Sequence, residues 1–96
     1  MKILALEHEN PDAVSADFEP HLKAEAARVW ELQQQGILRE IYFHQEQHRA
    51  VLILECEDTA EAEEFLASLP LVQAGLIRFE LWPLAPYSGL ARLFKD

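Results

Sequence analysis

From Lys2 to His8 the chain reads Lys-Ile-Leu-Ala-Leu-Glu-His, a short apolar run without helical period, which predicts a strand. An acidic stretch follows from Glu9 to Glu19, with a turn signal at Asn10-Pro11-Asp12. Asp17 or Glu19 then suits the cap of a helix with Pro20 in its first turn, where a missing N–H costs nothing. Leu22, Ala26, Val29, Trp30 and Gln33 keep helical spacing with Leu32 beside them, and Gly36 stands where a helix end wants positive φ. Ile37 to His44 is rich in β-branched and aromatic residues and predicts a second strand. The polar break Gln45-Glu46-Gln47-His48-Arg49 has hairpin length, and Ala50 to Cys56 is a nearly continuous apolar run, as in a strand covered on both faces.

Asp58 with Glu61 makes a capping box for a second helix carrying Ala62, Phe65, Leu66 and Leu69, which Pro70 stops. From Leu76 to Trp82 the chain alternates again, with Ile77, Phe79 and Leu81 on one side and Arg78, Glu80 and Trp82 on the other. A tail from Leu84 to Asp96, broken by Pro86 and Gly89, keeps Leu90, Leu93 and Phe94 apolar.

The predicted order is βαββαβ. Two interleaved right-handed crossovers turn that order into a ferredoxin-like α+β fold, a four-stranded antiparallel sheet with both helices on one face. Residues 1–96 form one domain, since a chain this short holds one core and buries only roughly 60–65% of its unfolded surface. The opposite sheet face should be polar in a monomer. Instead the third strand offers Val51 and Ile53 to one side and Leu52 and Leu54 to the other, and the first strand does the same with Ile3 and Ala5 against Leu4 and Leu6. An apolar patch of that size predicts a partner, and two such sheets packed face to face make a homodimeric α+β barrel. The tail, residues 84–96, is expected at that dimer interface; the alternative is that it folds over its own sheet.

Charge narrows the partners. Eight basic residues against seventeen acidic ones give a net of −9, which opposes binding to nucleic-acid phosphates and to anionic membrane surfaces. No apolar run reaches the ~18–20 residues of a membrane helix, and the N-terminal run is too short for a signal-peptide core. A cytoplasmic location is expected. Cys56 is the single cysteine, so no disulfide forms within the chain. The glycines Gly36, Gly75 and Gly89 are scattered, so no phosphate loop is formed, and no cofactor is expected.

The segment Phe65-Leu66-Ala67-Ser68-Leu69-Pro70-Leu71, followed by Phe79-Glu80-Leu81-Trp82 and Pro83-Leu84, resembles the C-terminal half of muconolactone Δ-isomerases. The element order of the whole chain is also similar to that family and to the dimeric α+β barrels at large. The resemblance implies assembly as dimers or rings of dimers. It also implies cofactor-free movement of a proton between carbons of an unsaturated lactone, in a pocket between the sheet and its helices.

Such chemistry needs a carboxylate or imidazole whose pKa is moved toward neutrality by burial, and a donor or cation for the developing enolate. The candidates are Glu55, His44, His8, Tyr42, Arg78 and Glu80. Tyr42 and His44 share a face of strand two with Glu40, Arg78 and Glu80 share one of strand four with Trp82, His8 ends strand one, and Glu55 lies near the end of strand three. Each has a plainer role. Arg78 and Glu80 suit an ion pair across the dimer, Tyr42 and Trp82 suit interface aromatics, His8, His44 and His48 suit solvated ends, and Cys56 suits a small core residue. His44 and His48 span a turn rather than a helix, so no metal site is expected.

The reading is a small-molecule protein with isomerase-like activity on a small lactone or cyclic or aromatic acid. A cofactor-free monooxygenase would use the same pocket. The alternative from another class is a non-catalytic dimeric module that binds a small ligand, or a structural domain that assembles with a partner, with Arg78, Glu80 and Glu55 exposed or ion-paired and no pocket.

Overall fold

The structure is a computed structural model that describes residues 1–95. Its strands are β1 (Lys2–Glu9), β2 (Leu38–Phe43), β3 (Ala50–Glu55) and β4 (Ile77–Pro83), arranged in the order β2-β3-β1-β4 with every neighbouring pair antiparallel. This is the expected ferredoxin-like sheet, with β1 and β3 in the middle.

Strand parity decides what each face carries. Ile3, Ala5 and Glu7 of β1 lie beside Leu54, Leu52, Leu81 and Phe79 of the adjacent strands, on the face the helices cover. Leu4, Leu6 and His8 register with Ile53, Val51, Trp82, Glu80 and Arg78 on the other face. Leu38 and Leu54 pair across β2 and β3, and a bulge between Leu38 and Glu40 brings Ile41 opposite Leu52. The core is Ile3, Leu38, Leu52 and Leu54 from the sheet with Leu32 and Leu69 from the helical layer. The open face leaves Leu4, Leu6, Val51 and Ile53 half-buried and the rings of Tyr42 and Trp82 largely exposed.

The first helical segment starts earlier than its pattern predicts, and it is broken. Ser15–Phe18 forms a single turn (α1), whose Asp17 carboxylate accepts the Val14 N–H at 2.9 Å. A 3₁₀ turn over Glu19–His21 follows, and then α2 runs from Leu22 to Gln34. Pro20 has no N–H with which to continue the α-helical ladder from α1, so the chain tightens there before α2 begins. Helix α3 (Thr59–Ala67) is capped as expected, Asp58 accepting the Glu61 N–H at 2.8 Å. Pro70 both ends that helical stretch and opens a further turn, α4 (Pro70–Gln73), as its first residue. Gly36 and Gly75 take φ of 76° and 75° just after α2 and α4, the left-handed conformation that ends a helix at low cost.

The tail forms a 3₁₀ helix over Gly89–Phe94 and does not return to its own sheet: Leu90, Leu93 and Phe94 are 61%, 75% and 85% exposed. Its entry is held by the Leu84 N–H, which donates to the Lys2 carbonyl at 2.9 Å. No helix among the described residues is long and apolar enough to cross a membrane.

Candidate functional site

Helix α2 does not seal the sheet at the end where β1 finishes. Between them lies a cavity of about 1030 Å³, walled by Leu52, Ile77 and Phe79 from the sheet, Val29 and Trp30 from α2, and Leu69 and Leu71 from the connection around α4. Phe18 and Val14 from the α1 segment and Phe43 with His48 from the β2–β3 hairpin form its rim. The Phe43 and His48 rings pack with their centroids 4.8 Å apart and their planes tilted by 35°. Trp30 and Phe43 are 61% and 64% exposed, more than large apolar rings usually are when packed inside a closed core.

Two carboxylates enter this apolar space from opposite walls. Glu7 follows Ile3 and Ala5 in β1, so pleat parity turns it inward, where only 5% of it remains exposed. The β1–β3 ladder ends at Leu6 and Val51, and one position further the Glu7 Oε1 accepts the Ala50 N–H at 2.7 Å in place of a main-chain carbonyl. Glu25 lies on the stripe of α2 that carries Leu22 and Val29, and its Oε1 accepts the Leu71 N–H at 2.9 Å, which docks α4 on α2. Each carboxylate gives one oxygen to a main-chain N–H of the fold, and both residues line the cavity.

Burial pushes both carboxyls above the ordinary value of 4.5; the single main-chain hydrogen bond to each offsets this in part. Glu9 adds repulsion to Glu7, and the Glu7 charge adds repulsion to Glu25. A buried carboxyl poised toward neutrality beside another is the equipment of general acid–base catalysis.

The same shifts set a pH dependence. The folded protein holds these two protons more tightly than the unfolded chain, whose carboxyls titrate near 4.5. Below that value both states are protonated and no penalty exists; as pH rises through the folded values, the penalty of ionising inside grows. Melting temperature is therefore expected to rise as pH is lowered from 8 to 5, with a flatter slope in Glu25→Gln, as calorimetry would register. Glu80, held below its ordinary value by the Trp82 and His8 hydrogen bonds, acts in the opposite sense and only below 4.5, outside that window.

None of the residues proposed from the sequence lines the cavity. His8, Glu80 and Arg78 come together on the open sheet face: His8 Nε2 lies 2.9 Å from Glu80 Oε1, Trp82 Nε1 donates to Glu80 Oε2, and Arg78 is the register partner of His8. The Arg49 guanidinium completes this group, 3.3 Å from His8 Nδ1, while its Nε donates to the Glu7 carbonyl at 2.9 Å. Tyr42 donates to Glu40 at 2.6 Å, also on the open face. Glu55 sits 3.7 Å from the N-terminal ammonium, and His44 Nδ1 accepts the main-chain N–H groups of Glu46 and Gln47 in the hairpin. The reason is parity: these side chains share the register of Leu4, Leu6, Val51 and Ile53, or stand in the turn. Glu7 and Glu25 are not among the sequence-based candidates, although each stands in an otherwise apolar inward pattern. Cys56 is buried, and among the described residues no group of three or more acidic, histidine or cysteine side chains is placed to hold a metal ion.

A four-stranded sheet with its helices on one face, and a half-open apolar cavity between the layers with Glu7 and Glu25 on its walls, define a ferredoxin-like α+β protein with a small-molecule-sized site. Residues 4–89 match the family model for muconolactone delta-isomerase, and the chain belongs to that family. Among solved structures it is similar to a muconolactone isomerase, at 17% identity and a TM-score of 0.75 over 92% of each chain. It is also similar to 5-chloro-2-hydroxyhydroquinone dehydrochlorinase from Burkholderia phenoliruptrix AC1100, solved in complex with 2,5-dihydroxybenzoquinone, at 16% identity and a TM-score of 0.72 over 93% of this chain and 98% of that one. No protein with a curated description matches the sequence.

Proposed function

We propose that the protein is a cofactor-free isomerase or related proton-transfer enzyme acting on a small unsaturated lactone or cyclic acid, and that it works as a homodimer in the cytoplasm. The observation that carries the reading is the cavity between sheet and helices with Glu7 and Glu25 desolvated on opposite walls. In a 1,3-shift the ionised carboxylate removes a proton from the carbon next to the conjugated system. The protonated carboxyl hydrogen-bonds the carbonyl oxygen as the dienolate forms, and a proton is returned at the far carbon, so the double bond moves and nothing is consumed. A purely structural module expects no pocket at this place.

The open face carries the proposal for assembly. Leu4, Leu6, Val51 and Ile53 form an apolar patch ringed by Tyr42, Trp82 and the His8–Glu80–Arg78 group, a surface suited to a second copy of itself. In that arrangement His8, Arg78, Glu80 and Tyr42 serve the interface, His44 and Glu55 stay at its margin, and the exposed tail lies against the partner.

A thermal-shift panel of unsaturated lactones, hydroxyaromatics and aromatic acids tests the reading, since a ligand at a hundred times its dissociation constant adds about 2.7 kcal/mol. A compound that raises the melting temperature should also gain deuterium at carbon when held with the protein in heavy water. Stabilisation without exchange favours a binding module; silence across the panel removes the site from consideration.

A further inference from the structure

We infer that Arg49 is a positioning residue for the cavity: it occupies the main-chain carbonyl of Glu7 and so leaves the Ala50 N–H to hold the Glu7 carboxylate. Its effect on turnover rests on the proposed function; the clasp itself rests on strand geometry.

Strand pairing shows what has been exchanged. In an antiparallel ladder, residue pairs that exchange hydrogen bonds alternate with pairs that do not. The Cys56 N–H donates to the Met1 carbonyl at 3.0 Å, which fixes the bonded pairs of β1 and β3 at every second position from there. Those pairs are Ile3 with Leu54, Ala5 with Leu52, and then Glu7 with Ala50, yet the ladder ends at Leu6 and Val51. At Glu7 and Ala50 two side chains have entered the rung. The Ala50 N–H donates to Glu7 Oε1 at 2.7 Å, and the Glu7 carbonyl accepts the Arg49 Nε–H at 2.9 Å. Arg49 is half-buried and held from the far side of β1, where its Nη2 lies 3.3 Å from His8 Nδ1 and His8 Nε2 lies 2.9 Å from Glu80 Oε1.

Without a donor at Arg49, the Glu7 carbonyl stands unpartnered beside the Ala50 N–H, and the ordinary rung closes. Glu7 then loses the hydrogen bond that orients and favours its ionised form. Facing Glu7 are Glu9 on its own strand, His48 and Arg49 from the hairpin side, and Glu25 from α2. Arg49 and His48 favour ionisation of Glu7 and Glu9 opposes it, while Glu7 and Glu25 repel each other. Removing Arg49 therefore withdraws support twice, through its charge and through Ala50, and the Glu7 carboxyl moves further up.

Scalar couplings across hydrogen bonds in the isotope-labelled parent test the clasp without any substitution. The Ala50 nitrogen is expected to couple to the Glu7 side-chain carboxyl carbon, and Arg49 Nε to the Glu7 main-chain carbonyl carbon. Coupling of Ala50 to that main-chain carbon overturns the inference. Arg49→Gln and Arg49→Met then separate the donor from the charge, since glutamine places an amide nitrogen where Nε stands and methionine a methyl group. With an unsaturated γ-lactone as probe, Arg49→Met should lower kcat about 10²-fold, change the dissociation constant far less and move the pH profile upward. Arg49→Gln should recover most of both effects. If it fares no better than Arg49→Met, the donor does not position Glu7 and the inference fails. The expected couplings together with parent-like turnover in Arg49→Met leave the clasp standing, and overturn both the positioning role and the part given to Glu7 in the proposed function.

Discussion

Glu25→Gln is expected to lower turnover about 10²–10⁴-fold, the usual contribution of a positioned acid or base, while its melting temperature at neutral pH stands no lower than the parent's because the penalty of ionising Glu25 is gone. The substitution keeps the side chain's shape and its carbonyl oxygen, so the Leu71 N–H that docks α4 on α2 retains an acceptor. What is lost is the titratable proton. Glu7→Gln should behave alike for the same reason, since its amide oxygen can still accept the Ala50 N–H. On the proposed function, the parent's rate should follow a bell-shaped pH profile with both limbs belonging to the pair, because the Glu7 charge contributes to the rise at Glu25. Each single variant should lose one limb. Turnover measured as deuterium gain at carbon, beside a ligand dissociation constant, distinguishes loss of chemistry from loss of binding. If both glutamine variants turn over at the parent rate, the pair is structural and the chemistry lies elsewhere.

The strands, the fold and its unpartnered face were legible because each rests on local pattern. Alternation in β4 and the two-sided run of β3 locate the sheet, and together with the helix spacing they leave one compact topology. The site was less legible. His8, His44 and Glu55 are conspicuous in the sequence at strand ends and hairpins, whereas the cavity's carboxylates are conspicuous only by parity. Glu7 shares a face with Ile3 and Ala5, and Glu25 stands on the α2 stripe with Leu22 and Val29. A charged residue in an inward position is the signal, since burying one costs free energy that a purely structural protein avoids. The cavity itself depends on how far α2 stands from the end of β1, a tertiary distance no periodicity reports.

Neighbouring residues of β3 should divide stability from assembly. Leu54 is fully buried opposite Ile3 on one side and Leu38 on the other, at the centre of the layer between sheet and helices. Leu54→Ala should cost about 2–5 kcal/mol, the lost transfer free energy plus that of the cavity left behind. Against the roughly 5–15 kcal/mol that holds a domain of this size, urea titration should show a large fall in midpoint at every protein concentration. Ile53 is one residue away and points to the other face, where it registers with Leu4 and Glu40 and is only half-covered by its own chain. Ile53→Asp places a charge in the middle of the proposed interface, where pairing two copies would bury it without a partner. The parent is expected to sediment at twice the chain's 11.0 kDa at micromolar concentration, and Ile53→Asp at one chain mass with its circular dichroism retained. Because the dimer adds stability by mass action, the parent's unfolding midpoint should rise with protein concentration and the variant's should not. A parent that sediments as a single chain refutes the interface and leaves the apolar open face of β1 and β3 without an explanation.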